Sequence, residues 1–212
     1  MKCTWKKFSC LILALAMALS CAGAFAEGSV SDAAAAPAAT DTGIWEIKAY
    51  KDEFDMPTDR NFIVSSVITG SFSNSATTDS DLFAIVAFKK FADVDETYIQ
   101  IALCEYGKYI VKNASSKARY YNAIVMDCDG NKTYFDSDRG TGPIMPGDDQ
   151  ELYFADDKES QQIIDILKKG GTVRFAIIER DDSNTKYLFS FDATGFDVIY
   201  EQWKKDHPGI KD

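Results

Sequence analysis

His207 is the only histidine in this 212-residue chain, and that limits its acid–base and nucleophilic chemistry. A Ser/His/Asp or Cys/His arrangement needs its imidazole held rigidly beside a nucleophile. His207 instead lies in Asp206-His207-Pro208-Gly209, within a carboxyl-terminal stretch, residues 206–212, that is expected to be disordered. The chain contains no GxSxG and no HExxH, and Gly140-Thr141-Gly142-Pro143 lacks the lysine and helix of a phosphate loop. No catalytic residue follows from these patterns. Carboxylates are plentiful. Asp127-Cys128-Asp129-Gly130-Asn131, Asp136-Ser137-Asp138, Asp148-Asp149 and Asp156-Asp157 place hard oxygen atoms at loop positions, where calcium sites are built. No metal or cofactor is expected, since none of these segments spells an EF-hand loop; Asp127, Asp129 and Asn131 are the weak candidates, and calcium is the ion they would take. The same residue types also serve turn geometry. Two acids could instead support glycoside hydrolysis if they stood roughly 5–10 Å apart in an aromatic-lined cleft. No spacing in the chain brings such a pair together.

The amino terminus reads Met1-Lys2-Cys3-Thr4-Trp5-Lys6-Lys7, then an uncharged stretch from Phe8 to Leu19, then Ala24-Phe25-Ala26 before Glu27. That is the pattern of a secretory signal peptide, residues 1–26. Its apolar run is shorter than the roughly 20 residues that span a bilayer, so no transmembrane segment is expected. The mature chain is therefore expected outside the cytoplasm, in the periplasm, in the cell envelope or secreted. Lipidation at Cys21 is the alternative processing route and would leave a lipid anchor. The preceding Ala18-Leu19-Ser20 lacks the branched aliphatic residue that a lipoprotein signal favours three positions before its cysteine, so cleavage after Ala26 is the primary expectation. Cleavage there removes three lysines and no acid, which leaves 20 bases against 33 acids, a net charge of −13. Nucleic acid is excluded as a partner class, because phosphate binding needs clustered Lys and Arg to replace counterions.

Export also frames the cysteines. Cys104 and Cys128 are the two that remain after cleavage, and an oxidising compartment favours a disulfide between them. Two unpaired buried thiols are the alternative; redox or zinc chemistry would need a CxxC or neighbouring histidines. Ser71 to Asp81 is the most distinctive polar loop, and Asn74, Ser75, Thr77 and Thr78 are its candidate binding residues. They can equally saturate their own backbone. Tyr106, Tyr109, Tyr120 and Tyr121 flank a second polar connection, 112–117, and suit either a recognition surface or a sheet rim.

These residues must be positioned by strands. Residues 27–43 are rich in Ala, Ser and Thr and read as a flexible spacer. The domain follows at 44–205. Short β-branched and aromatic runs of period two occur at Trp45 to Tyr50, Asn61 to Ser73, Leu82 to Phe91, Thr97 to Glu105, Arg119 to Cys128, Lys132 to Phe135, Glu151 to Phe154, Thr172 to Glu179 and Lys186 to Asp192. Asp129-Gly130 predicts a tight hairpin between two of them. Helices are predicted at Lys158 to Lys169, with Asp156 as N-cap and Gly170-Gly171 as the stop, and at Thr194 to Lys205. The pattern gives an all-β fold, a single antiparallel β-sandwich of about nine strands or a partly closed barrel, with two short accessory helices. Its expected core draws on Ile63, Val67, Phe83, Ile85, Ile99, Ile101, Leu103, Ile124, Phe175, Ile177, Phe189 and Phe191.

Several segments in order carry a resemblance: Tyr50-Lys51-Asp52-Glu53-Phe54, Gly70-Ser71-Phe72-Ser73-Asn74, Ile101-Ala102-Leu103-Cys104-Glu105-Tyr106-Gly107, Leu167-Lys168-Lys169-Gly170-Gly171 and Asp192-Ala193-Thr194-Gly195-Phe196. Together they resemble a family of uncharacterised secreted bacterial proteins. The ending, a helix and glycine before two strands and then Thr194-Gly195-Phe196, is similar to that of the invasion-associated protein B family, whose paired cysteines have no counterparts at Cys104 and Cys128. The resemblance implies an extracytoplasmic β-sandwich and transfers no catalytic residue. The expected function is a non-catalytic binding module for a protein or glycan. The alternatives are a carboxylate-dependent hydrolase and a structural envelope lipoprotein anchored through Cys21.

Overall fold

Alternating side chains on Leu82 to Phe88 set the architecture. Leu82, Ala84, Val86 and Phe88 are all buried on one face, while Phe83 on the other is exposed. In a computed structural model of the chain, covering residues 41–90, 97–109, 121–135, 144–146, 151–154, 157–179 and 185–207, such segments become twelve strands and two helices. The strands are β1 Trp45–Lys51, β2 Pro57–Ser65, β3 Ile68–Ser73, β4 Ser80–Lys90, β5 Thr97–Glu105, β6 Lys108–Tyr109, β7 Tyr121–Met126, β8 Lys132–Phe135, β9 Ile144–Pro146, β10 Leu152–Phe154, β11 Thr172–Glu179 and β12 Lys186–Asp192; the helices are α1 Asp157–Lys168 and α2 Phe196–Lys205. The expected signal peptide, Cys21, residues 27–40 of the spacer, the acidic pairs from Asp136 to Asp157 other than Asp157 itself, and residues 208–212 lie outside the described residues. No helix among the described residues is long and apolar enough to cross a membrane.

The chain is all-β with two short helices. Its strands make one antiparallel sheet in the order β1-β2-β4-β3-β12-β11-β7-β9-β10-β5-β6, with β8 paired to β7. A further pairing of β4 with β5 returns the path to its start, so eight strands from β4 through β12 and β9 to β5 form a ring. The pairings thus curl the one sheet into a barrel-like ring. β4 is the hub: β5 pairs along one edge from Leu82↔Glu105 to Lys90↔Thr97, while β3 and β2 share the other. That sharing explains why the apolar run from Asn61 to Ser73 is two strands. Ser65 breaks it, its buried hydroxyl accepting from the Val86 N–H (3.0 Å), and Ser66 N–H turns to the Ile44 carbonyl (2.8 Å).

The helices cover one end of the ring. α1 packs on β5 and β10, and α2 on β1 and β2. Ile163, Ile164, Ile166 and Leu167 of α1 are buried, as are Phe196, Ile199, Tyr200 and Trp203 of α2. Trp45 presents ring edges to Phe88, Phe191 and Phe196, with centroids 5.8, 5.6 and 4.9 Å away. Trp203 donates from Nε1 to the Asn61 carbonyl (3.3 Å). α1 ends as its Gly170-Gly171 sequence predicts, both glycines having φ of 69°. Two expected core residues, Val67 and Phe83, are instead 56% and 42% exposed, because the inward register of β3 and β4 falls on Ile68, Phe72, Leu82 and Ala84.

Candidate functional site at the barrel end away from the helices

Away from the helices, the strand ends carry an acid–phenol cluster. Glu105 closes β5, Glu179 closes β11, Tyr121 opens β7 and Tyr187 is the second residue of β12. Each takes the next inward position after a buried apolar residue: Leu103 before Glu105, Ile177 before Glu179, and Phe189 and Ala123 after the tyrosines. β5 and β12 are not neighbours in the sheet order, yet the Glu105 carboxyl acts on the Tyr187 hydroxyl, which places the two groups near one another. Glu179 is only 3% exposed, and its backbone N–H donates to the Thr185 carbonyl (2.9 Å).

Electrostatics follow from this packing. Burial raises the Glu105 carboxyl above the usual range, and the Tyr187 hydrogen bond only partly offsets that rise. Tyr187 is held far above the usual tyrosine range, first by burial, then by the negative charges of Glu105 and Glu179 and by Tyr121. Such a cluster gathers two carboxyl groups and two phenols. It suits a ligand that brings hydrogen-bond donors or positive charge, or a reaction that needs one protonated carboxyl beside an ionised one.

Strand periodicity carries a signal for both acids. Phe175, Ile177 and Glu179 share one parity, as do Ile101, Leu103 and Glu105. Motif and acid-pair patterns do not reveal them, because the two glutamates are 74 positions apart in sequence and no local spacing joins them.

The residues singled out from sequence have other roles. Asp127 is buried, and both its oxygens are taken: Oδ1 accepts from the N–H groups of Asp129 (3.0 Å) and Asn131 (2.8 Å), Oδ2 from Asn131 Nδ2 (3.1 Å) and Lys169 Nζ (2.6 Å). Asn131 turns its amide nitrogen to the carboxylate, and an ammonium sits where a cation would. Asp127, Asp129 and Asn131 thus form an ion-paired turn that ties the β7–β8 hairpin to the end of α1. Those hydrogen bonds hold the Asp127 carboxyl far below its usual range. Among the described residues no three His, Cys, Asp or Glu converge as a metal shell. The same turn borders a shallow depression of about 140 Å³, lined by Met126, Asp127, Cys128, Gly130, Thr172 and Arg174.

Cys104 and Cys128 are free thiols, which corrects the disulfide expectation: one is half-buried on β5, paired across to Phe83 and Tyr109, and the other is exposed in the β7–β8 turn. In the polar loop, Asn74 Oδ1 accepts from the N–H groups of Ala76 (2.9 Å) and Thr77 (3.1 Å), and Thr77 bonds Ser80 through their hydroxyls. Asn74 and Thr77 therefore build the turn, while Ser75 and Thr78 are exposed. His207 directly follows the last turn of α2. Its Nδ1 lies 2.9 Å from the Trp203 carbonyl and its ring 4.7 Å from the Trp203 ring, so it finishes α2.

No protein-family model, curated protein or solved structure matches the chain.

Proposed function

We propose that this chain is an extracytoplasmic binding module that takes an amine- or hydroxyl-bearing ligand at the end of its barrel away from the helices. The observation that carries the reading is that Glu105, Glu179, Tyr121 and Tyr187, from four different strands, bring two carboxyl groups and two phenols close enough to act on one another inside the barrel. Barrel mouths are common ligand sites, and a buried acceptor cluster selects ligands that supply donors. Export follows from the amino-terminal pattern, and a glycan or a peptide amine is the ligand class that the acidic cluster fits. Thermal unfolding tests the reading, since a ligand that binds only the folded state raises the midpoint. Glucosamine oligosaccharides and short amino-terminal peptides are expected to raise it for the natural chain and not for Glu105→Gln. Equal shifts in both would place the ligand elsewhere.

The raised Glu105 carboxyl favours one second reading, an acid-dependent glycoside hydrolase with Glu105 as proton donor and Glu179 as its partner. Release of nitrophenol from aryl glycosides, abolished in Glu105→Gln, would support it; absence of turnover leaves the binding module.

A further inference from the structure

A second surface, independent of the barrel end, stands on the β1–β2 hairpin. Phe54 is 78% exposed and Met56 61%, on the turn that joins β1 to β2. β2 pairs with β4 only at Ile63 and Val64, so its residues from Pro57 to Asn61 have β1 as their strand neighbour. Lys48, Ala49, Lys51, Asp59 and Arg60 are all exposed along this arm.

The apolar tip is held in place. Asp52 Oδ1 accepts from the N–H groups of Phe54 (2.8 Å) and Met56 (2.9 Å), and Asp52 N–H donates to the Met56 carbonyl (2.9 Å). Asp55 completes the turn at φ 61°, in the left-handed region that aspartate tolerates. Lower down, Tyr50 packs on Phe62 with centroids 4.8 Å apart, and the Arg60 guanidinium lies 5.1 Å from the Tyr50 ring. A two-stranded ribbon alone is marginal, and these contacts brace it. The two apolar side chains are thus displayed at fixed positions, which lowers the ordering cost of docking.

Charge decides what they dock into. Asp52, Glu53, Asp55 and Asp59 surround the tip against Lys51 and Arg60, a net charge of −2. An acidic collar is repelled by anionic lipid and matches a positive rim. We propose that Phe54 and Met56 are anchors that seat in an apolar socket rimmed by Lys or Arg on a partner protein.

Photocrosslinking tests the arm in the cells that make the protein, with benzoylphenylalanine at position 54 and, as control, at exposed Ser75. The expected adduct is to an apolar protein segment with Lys or Arg within a few residues. Its yield should fall about tenfold or more in Met56→Ser, as for an interface anchor, and also in Glu53→Lys, with unchanged unfolding midpoints. Adducts to lipid, to a second copy of this chain or to a segment without basic residues would overturn the proposal. So would a yield no greater than from position 75.

Discussion

Glu105 and Asp127 are carboxylates whose environments push them in opposite directions, and each predicts its own pH response. Burial raises Glu105, so the folded state holds its proton to higher pH than the unfolded chain does. Its stabilising share is complete below the unfolded value, about 4.3, and is lost as pH rises through the folded one. Glu105→Gln, neutral throughout, should flatten that fall, so its unfolding midpoint gains on the natural chain as pH rises from 4 towards 7. Asp127 is lowered by Lys169 and Asn131, so its contribution is present above the unfolded value, about 3.9, and is lost as pH falls through the folded one. Asp127→Asn should therefore lower the midpoint at pH 7, with the deficit narrowing in acid; an equal deficit at both ends would assign the loss to turn geometry alone. The Asp-rich turn was legible in the sequence as a turn. Its Lys169 partner was not, because 42 positions separate them and only the tertiary fold brings α1 to the hairpin.

At the scale of elements, most of the strands were legible from period two, and both helices from apolar spacing and glycine stops. What escaped depended on partners. β6 and β9 have two and three residues, too few for any period, and the break between β2 and β3 exists because β4 must pair with both. Gly70 records a similar constraint: a Cβ there would lie 2.2 Å from the Leu188 carbonyl oxygen and 2.8 Å from Phe189 Cβ. Gly70→Ala should cost about 1–3 kcal/mol, the usual penalty of overpacking, with β3 and β12 forced apart. Denaturant unfolding checks it, and a neutral result would show that the strands separate freely. In α2, Trp203 is fully buried and donates to the Asn61 carbonyl. Trp203→Ala should cost about 3–5 kcal/mol, while Trp203→Phe should keep much of the packing and lose the hydrogen bond.

Ring closure is a property of the whole molecule, and no sequence window contains it: β4 meets β5 through a long ladder, whereas the opposite seam runs through short strands. β4 and β5 share nine paired positions, from Leu82↔Glu105 to Lys90↔Thr97. Between β7 and β9 the described ladder is one pair, Tyr121↔Ile144, and β9 reaches β10 through three. Opening free energies track local contact and hydrogen-bond density, so the ring should open at the β7–β9 seam long before β4 and β5 part. Amide hydrogen exchange should show β9 and β10 exchanging through local opening and β4–β5 only through global unfolding. Tyr121 belongs to both the seam and the acid–phenol cluster, so a ligand bound there stabilises the closed ring. Adding a donor-rich ligand should slow exchange at Tyr121, Ile144 and the β9–β10 amides more than along β4–β5. Uniform protection of all these strands without ligand would remove the seam as the weak point. Slowing confined to β1 and β2 would place the ligand on the hairpin arm instead of the barrel end.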